Sequence, residues 1–300
     1  MNNKKPMIVC VLCAVFVITG HVIAKPGYDL KRIGVEYRFQ EQTAPRPNRV
    51  HVLRVDLAVG RVKPAAAIAV DPDGDGPAEA ALTDPRKLAG DKRTVVFINT
   101  NPWDSFPDAG GKKNRNWYEG QPVDITGLAA SGSQVRSRAG DGCVGIWVDH
   151  GGSVHMGDAL PADDIVEGVA GWYQIVKDGV VIPQQSEALN PLTGIGVDRS
   201  GRILWLVVVD GRQPGYSEGM SHYELACLLR DLGCWHGALM DGGGSSIMGV
   251  LGSDGEMHVV NSPSDRFLGV SRVRPLPMVL TIRKSVEATP VSQGTIRGNP

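Results

Sequence analysis

Ile203-Leu204-Trp205-Leu206-Val207-Val208-Val209 is an unbroken apolar run that stops at Asp210-Gly211, and the reading of the fold turns on it. Apolar residues at both odd and even positions suit a strand buried between two layers. Downstream, Ser221 and Glu224 stand at capping-box spacing, Leu225, Leu228, Leu229 and Leu232 recur at helical spacing, and Gly233 supplies a stop. A second short strand, Ala238-Leu239-Met240, then ends at Asp241. Strand, helix and strand in this order predict a right-handed crossover with both strands pointing the same way. Asp210 and Asp241 are therefore expected at one edge of the sheet.

Strands dominate elsewhere. Val35, Tyr37 and Phe39 alternate as an edge strand does; His51 to Val59 reads as half-buried, and Thr94 to Ile98 is a β-branched run ending at Asn99. Shorter pieces follow at Val144 to Val148 and Tyr173 to Val176. The expected fold class is α+β, a mixed, largely antiparallel sheet with few helices and one strand-helix-strand crossover carrying the site. Asn101 to Thr126, rich in Pro, Gly, Lys, Asn and Trp, reads as a long irregular loop whose Trp103, Phe106, Trp117 and Tyr118 stack on a sugar or close over the core.

The chain's ends bound its compartment. Residues 1–24 read as a signal peptide, with Lys4 and Lys5 before the apolar run Met7 to Ile18 and small Ala24 at the end. That run is shorter than the ~20 residues a spanning helix needs, so no stable membrane insertion is expected after cleavage, and the protein is expected to be exported, periplasmic or secreted. Residues 25–49 read as an N-terminal extension, 50–285 as one domain and 286–300 as a disordered tail. The chain has 31 Lys and Arg against 32 Asp and Glu, and loss of the leader leaves 29 against 32, which excludes nucleic acid as a partner class. Cys143, Cys227 and Cys234 remain; spacing permits a Cys227–Cys234 bridge, with free thiols the plainer reading. Asp71-Pro72-Asp73-Gly74-Asp75-Gly76 matches half of a calcium loop, but Leu82 stands where a bidentate Glu is required, so it reads as an acidic turn.

The chemistry concentrates at Asp241-Gly242-Gly243-Gly244-Ser245-Ser246, one carboxylate, three glycines and two hydroxyls in a tight turn. Three residues without Cβ let a ligand approach the main-chain N–H groups, which suits an anion or a sugar hydroxyl. Arg212, two residues after Asp210, brings a guanidinium fork suited to phosphate or carboxylate to the same rim. A nucleotide P-loop is excluded because no Gly-Lys-Ser/Thr follows, and the histidines show no paired zinc spacing.

Asp210-Gly211-Arg212-Gln213-Pro214-Gly215-Tyr216-Ser217, Glu224-Leu225-Ala226, Leu232-Gly233-Cys234 and Asp241 to Ser246, closed by Asn261-Ser262-Pro263-Ser264-Asp265 and Arg274-Pro275, resemble the phosphodiester glycosidase family over about His51 to Ile282. Two departures stand out. Asn99-Thr100-Asn101 replaces an Asn-Gly-Gly turn, and Leu192-Thr193 replaces Arg-Thr. The resemblance implies hydrolysis of a sugar-1-phosphodiester, such as an N-acetylglucosamine-1-phosphodiester, to free sugar and phosphomonoester. Phosphate is a good leaving group, so the need for a strong general acid is small. In that reading Asp241, then Asp210, is catalytic, while Arg212, Gly242, Gly243, Gly244, Ser245, Ser246, Asn99 and Asp265 bind substrate. The sequence requires no cofactor, and two carboxylates near a phosphate are compatible with a divalent cation. Two other readings remain: a non-catalytic glycan-binding or envelope polysaccharide assembly protein on the same fold, favoured by Leu192, and a plain glycosidase needing a second carboxyl group.

Overall fold

The computed structural model describes residues 30–138, 142–161, 163–184 and 186–285. The leader at 1–24, residues 25–29 of the extension and the tail at 286–300 lie outside the described residues. Ile203–Val209 is an interior strand, third in a seven-stranded sheet in the order Val35–Gln42, Asn48–Asp56, Ile203–Val209, Leu192–Val197, His236–Leu239, Tyr173–Lys177 and Val180–Val181. Both faces of this strand are buried. Leu204, Leu206 and Val208 enter the main core, while Trp205, Val207 and Val209 join a second core under the helix His222–Asp231, which contributes Leu225 and Leu229. The two faces of one apolar strand thus join two layers. The helix begins with the reciprocal Ser221–Glu224 capping box.

Around the helix, sheet order departs from sequence order: Leu192–Val197 lies between Ile203–Val209 and His236–Leu239 and pairs antiparallel with both. The two strands flanking the helix therefore point the same way without being neighbours. The expectation of a mixed sheet is corrected accordingly, because every ladder among the described residues is antiparallel. Val35–Gln42 is an edge strand and pairs along its whole length with Asn48–Asp56, so the second half of the extension belongs to this sheet.

A five-stranded sheet runs Met257–Val259, Met248–Leu251, Thr94–Asn99, Met278–Lys284 and Val62–Ile68, and another runs Val154–Gly157, Val144–Val148, Glu167–Gly171, Ala129–Ser131 and Gln134–Ser137. All three sheets feed the main core, with Leu53 and Leu206 from the first, Val96, Ile98 and Leu280 from the second and Ile146 and Val169 from the third. The Asn101–Thr126 segment is less irregular than its composition suggests: Trp103–Ser105 pairs with Pro122–Ile125, and Trp103 meets Trp117 edge-on at 5.7 Å, packed on the core. The acidic turn closes on itself, Asp71 accepting from the N–H groups of Asp73 and Gly74. Cys143, Cys227 and Cys234 are free thiols. Among the described residues no helix is long and apolar enough to cross a membrane.

Candidate active site

The turn after His236–Leu239 carries the chain from the first sheet to the second, and Asn99 fastens it. Its Nδ2 donates to the Asp241 carbonyl at 2.7 Å, while its Oδ1 accepts from Thr193 Oγ1 at 2.7 Å and from the Ile247 N–H at 3.0 Å. One amide thus ties the end of Thr94–Asn99 to the neighbouring sheet and to both ends of the glycine turn. Asn99 is 1% exposed, so its polar atoms serve the protein interior and not a sugar. The Asp241 N–H donates to the Thr100 carbonyl and the Gly243 N–H to the Pro191 carbonyl, each at 2.9 Å. Between these anchors Gly243–Ser245 makes a single 3-10 turn.

Asp241, Gly242 and Gly243 are the half-buried part of this turn, whereas Gly244, Ser245 and Ser246 are buried. Desolvation pushes the Asp241 carboxyl up to about 6 from its ordinary 3.8, opposed by hydrogen bonds from Ser245, the Gly242 N–H and Trp172 and by the charge of Arg274. Arg274 binds Asp265 through a two-pronged pair, Nε to Oδ2 and Nη2 to Oδ1, both at 2.8 Å, and its Nη1 donates to Ser245 Oγ at 3.2 Å. A continuous polar chain results: Asp265, Arg274, Ser245, Asp241. Gly244 is what lets it close, since a Cβ there would lie 1.9 Å from Asp265 Oδ1 and 2.1 Å from Arg274 Nη2. Gly244→Ala is expected to displace the ion pair and lower stability by about 1 to 3 kcal/mol, as overpacked sites do, measurable by urea unfolding.

Arg212 reaches the turn from the other side. It adopts a left-handed backbone conformation, φ 57°, and its Nη2 donates to Asn190 Oδ1 at 2.8 Å. Its Nη1 lies 3.0 Å from the position a Cβ would take on Gly243, so the guanidinium faces the glycines. Arg212 is exposed and forms no ion pair with a described carboxylate. Leu192, by contrast, is 2% exposed in the second core, its Cδ2 3.7 Å from the corresponding point on Gly242. The apolar residue at 192 thus lies beneath the turn, and Arg212 is the cation beside it.

Asp210 has a different setting. It is 1% exposed, and its carboxylate accepts from the Ser262 N–H at 2.9 and 3.1 Å and from Asn261 Nδ2 at 3.1 Å, with His51 Nε2 at 3.5 Å. Asn261 Nδ2 also donates to the Ser246 carbonyl at 3.1 Å, so the two acid–glycine turns are joined through one amide. Gln213 clamps the same loop, with bonds to the Ser262 carbonyl and hydroxyl at 2.9 Å. Asp210 faces this loop, whereas Asp241 sits at the surface of the turn.

A family model for phosphodiester glycosidase matches residues 118–283, more than half of the chain and including Arg212, Asp241, Asp265 and Arg274. The chain belongs to the phosphodiester glycosidase family. Among solved structures, this phosphodiester glycosidase family member is similar to the pro-peptide-inhibited catalytic domain of zebrafish N-acetylglucosamine-1-phosphodiester α-N-acetylglucosaminidase, at 17% identity and TM-score 0.62, covering 88% of this chain and 87% of that one. A protein from Synechocystis matches at 15% identity and TM-score 0.51, covering 84% and 62%, and a Burkholderia pseudomallei protein described as exported matches at 14% and 0.53, covering 81% and 75%. These likenesses show a common fold. No curated protein matches the sequence.

Three residues of this phosphodiester glycosidase fold were not among the site residues read from sequence: Arg274, Trp172 and Asn261. Arg274-Pro275 carried part of the resemblance, but a lone arginine far along the chain gives no local sign that it backs a carboxylate. Trp172, 44% exposed, precedes a strand and carries no motif, yet its side chain hydrogen-bonds Asp241. Among the described residues no three His, Cys, Asp or Glu side chains converge as a metal ion needs. A broad surface depression lined by Arg46, Pro183, Leu189, Tyr223 and Glu224 lies among other segments and contains none of the acid–glycine residues.

Proposed function

We propose that the chain hydrolyses a sugar-1-phosphodiester, of the N-acetylglucosamine-1-phosphodiester kind, at the bond between the anomeric carbon and oxygen. The observation that carries this reading is the desolvated Asp241 carboxyl, raised to about 6, placed between an arginine facing the glycines and a polar chain that fixes its orientation. Above its pKa the carboxylate activates water or attacks the anomeric carbon, and it stabilises the positive charge that develops there. The C–O bond breaks with its electrons on the phosphate oxygen, so the phosphomonoester leaves without needing a proton. Water supplies the new sugar hydroxyl, and its other proton passes to Asp241 and on to solvent. Arg212, whose guanidinium faces the glycines, holds the phosphate as a preorganised donor, because the Gly243 N–H is taken by the Pro191 carbonyl and the Gly242 N–H by the Asp241 carboxylate. Ser245 acts through Asp241, and Ser246, buried beneath, supports the turn.

In this account Asp210 is a positioning residue that fixes the Asn261-Ser262 loop. Asp210→Asn places an amide against the Ser262 N–H and is expected to cost about 1 to 3 kcal/mol of stability, seen in urea unfolding, while the pH dependence of turnover by the folded fraction is unchanged. Asp265 likewise serves through Arg274, since both its oxygens are occupied by the guanidinium. That argues against a plain glycosidase, which would use a second carboxyl as acid. Leu192 is the one observation favouring a non-catalytic glycan-binding protein, and Arg212 answers it by supplying a cation at the turn. The leader supports export to the periplasm or beyond.

The test is release of free sugar from an N-acetylglucosamine-1-phosphodiester across pH, with and without a chelator. The expected kcat/KM rises about tenfold per pH unit below about 6 and levels off above it, because the ionised carboxylate is the active form. Chelator sensitivity would add a metal to the account. Glycan binding with no sugar release at any pH would favour the binding protein.

A further inference from the structure

Arg266–Phe267 and Val270–Ser271 form a two-stranded hairpin closed by Leu268-Gly269, and the residues at its tip are apolar and solvent-facing. Phe267 is 64% exposed, Leu268 88% and Val270 70%, a grouping that a chain with ample core has no packing reason to present. The turn makes the choice of residue more telling. Leu268 and Gly269 both have positive φ, 50° and 80°, the two-residue arrangement for which Asn-Gly or Asp-Gly is preferred. A leucine there is strained and exposed at once, a local conflict of the kind found where function sets the residue.

The flanks are cationic. Between Asp265 and Ser285 the chain has no acidic residue and five basic ones. Of these, Arg266 and Arg272 are exposed at the hairpin's base, Arg266 donating to Gln213 Oε1 and Arg272 to the Trp117 carbonyl at 2.9 Å. Neither forms an ion pair with a described carboxylate. The base is rigidly held, with Ser271 Oγ donating to the Pro263 carbonyl and the Arg272 N–H to the Asp265 carbonyl, both at 2.8 Å.

From this pattern we infer that the hairpin is a docking element for an anionic lipid surface. Phe267, Leu268 and Val270 enter the boundary between headgroups and acyl chains, and Arg266 and Arg272 meet the lipid phosphates. Charge selects this occupant, because an apolar protein partner alone would give no use for two guanidinium groups at the hairpin's base that no described carboxylate neutralises. Asp265 and Arg274, which bracket the hairpin in sequence, also pack on Gly244, so docking would bring the glycine turn to the level of the headgroups. The inference stands independently of the glycosidase reading.

Hydrogen exchange of the full chain, resolved to the segment 266–272, tests it with vesicles of phosphatidylglycerol in phosphatidylcholine and with phosphatidylcholine alone. Exchange in the segment is expected to slow at least about fivefold with the anionic vesicles and to be unchanged with the neutral ones. In F267S/L268S the slowing should vanish, while exchange elsewhere shows the fold intact. No slowing with anionic vesicles would overturn the inference, as would slowing that survives F267S/L268S. Exchange that slows with rising protein concentration in the absence of vesicles would also overturn it, assigning the tip to a second copy.

Discussion

Asp241→Asn is expected to abolish sugar release, by about a thousandfold or more, and at the same time to make the folded protein more stable at neutral pH. The two effects have one origin. In the folded chain the Asp241 carboxyl holds its proton up to about pH 6, whereas unfolded it lets go near 3.8. A group whose pKa is raised by folding contributes its stability fully below the unfolded value and loses it as pH rises through the folded one. Above pH 6 the wild-type protein therefore bears a desolvated charge, worth at most about 3 kcal/mol for a shift of this size. Asparagine has no proton to lose. It gives back part of the gain, because its NH₂ cannot accept from Ser245, Gly242 or Trp172 as the carboxylate does. The expected balance is a stabilisation of about 1 kcal/mol at pH 8 that disappears at pH 4, read by urea unfolding at both pH values. Equal loss of stability and activity at pH 8 would mean that Asp241 holds the fold together and is not a strained functional group.

Arg274→Ala carries the second large effect, and it acts on the same carboxylate from behind. Removing the guanidinium leaves Asp265 without its two-pronged partner, takes a donor from Ser245 and removes the positive charge that holds the Asp241 pKa down. Both side chains are mostly buried, at 17% and 29% exposure, so an unpaired carboxylate there is costly, about 3 kcal/mol. The acid limb of the pH profile should move upward, and turnover at neutral pH should fall about ten- to a hundredfold. Asp265→Ala combined with Arg274→Ala separates the parts: stability should largely return when both partners are gone, while the shifted acid limb should remain. Arg274→Lys keeps the charge but not the fork, and should restore the pH profile better than the stability. An unshifted acid limb in Arg274→Ala would break the proposed link between Arg274 and Asp241.

The helix with its Ser221 cap, the doubly buried strand Ile203–Val209 and the placement of Asp241 at a strand end were all readable from local pattern, because each depends on residues within a few positions. Strand direction was readable too. Adjacency was not: Leu192–Val197, with glycines at two of six positions, has weak strand character, and only long-range pairing places it between the two strands that sequence order would make neighbours. The same limit applies around the turn. In sequence Asn99 looks like a substrate contact and Asp210 like a second catalytic carboxylate, yet at 1% exposure they are the fasteners behind the site. Arg274 and Trp172 reach Asp241 from strand approaches whose sequences contain no local sign of it. Leu192 looks like a lost cation in a motif, and only in three dimensions does Arg212 stand beside the glycines.

Isotope placement decides which bond breaks. The full chain turning over an N-acetylglucosamine-1-phosphodiester in water enriched with oxygen-18 should deliver the label to the anomeric hydroxyl of the sugar and leave the phosphomonoester unlabelled, with Asp241→Asn delivering it to neither. Label in the phosphate would show attack at phosphorus, and would contradict both the glycosidase account and the role given to Asp241.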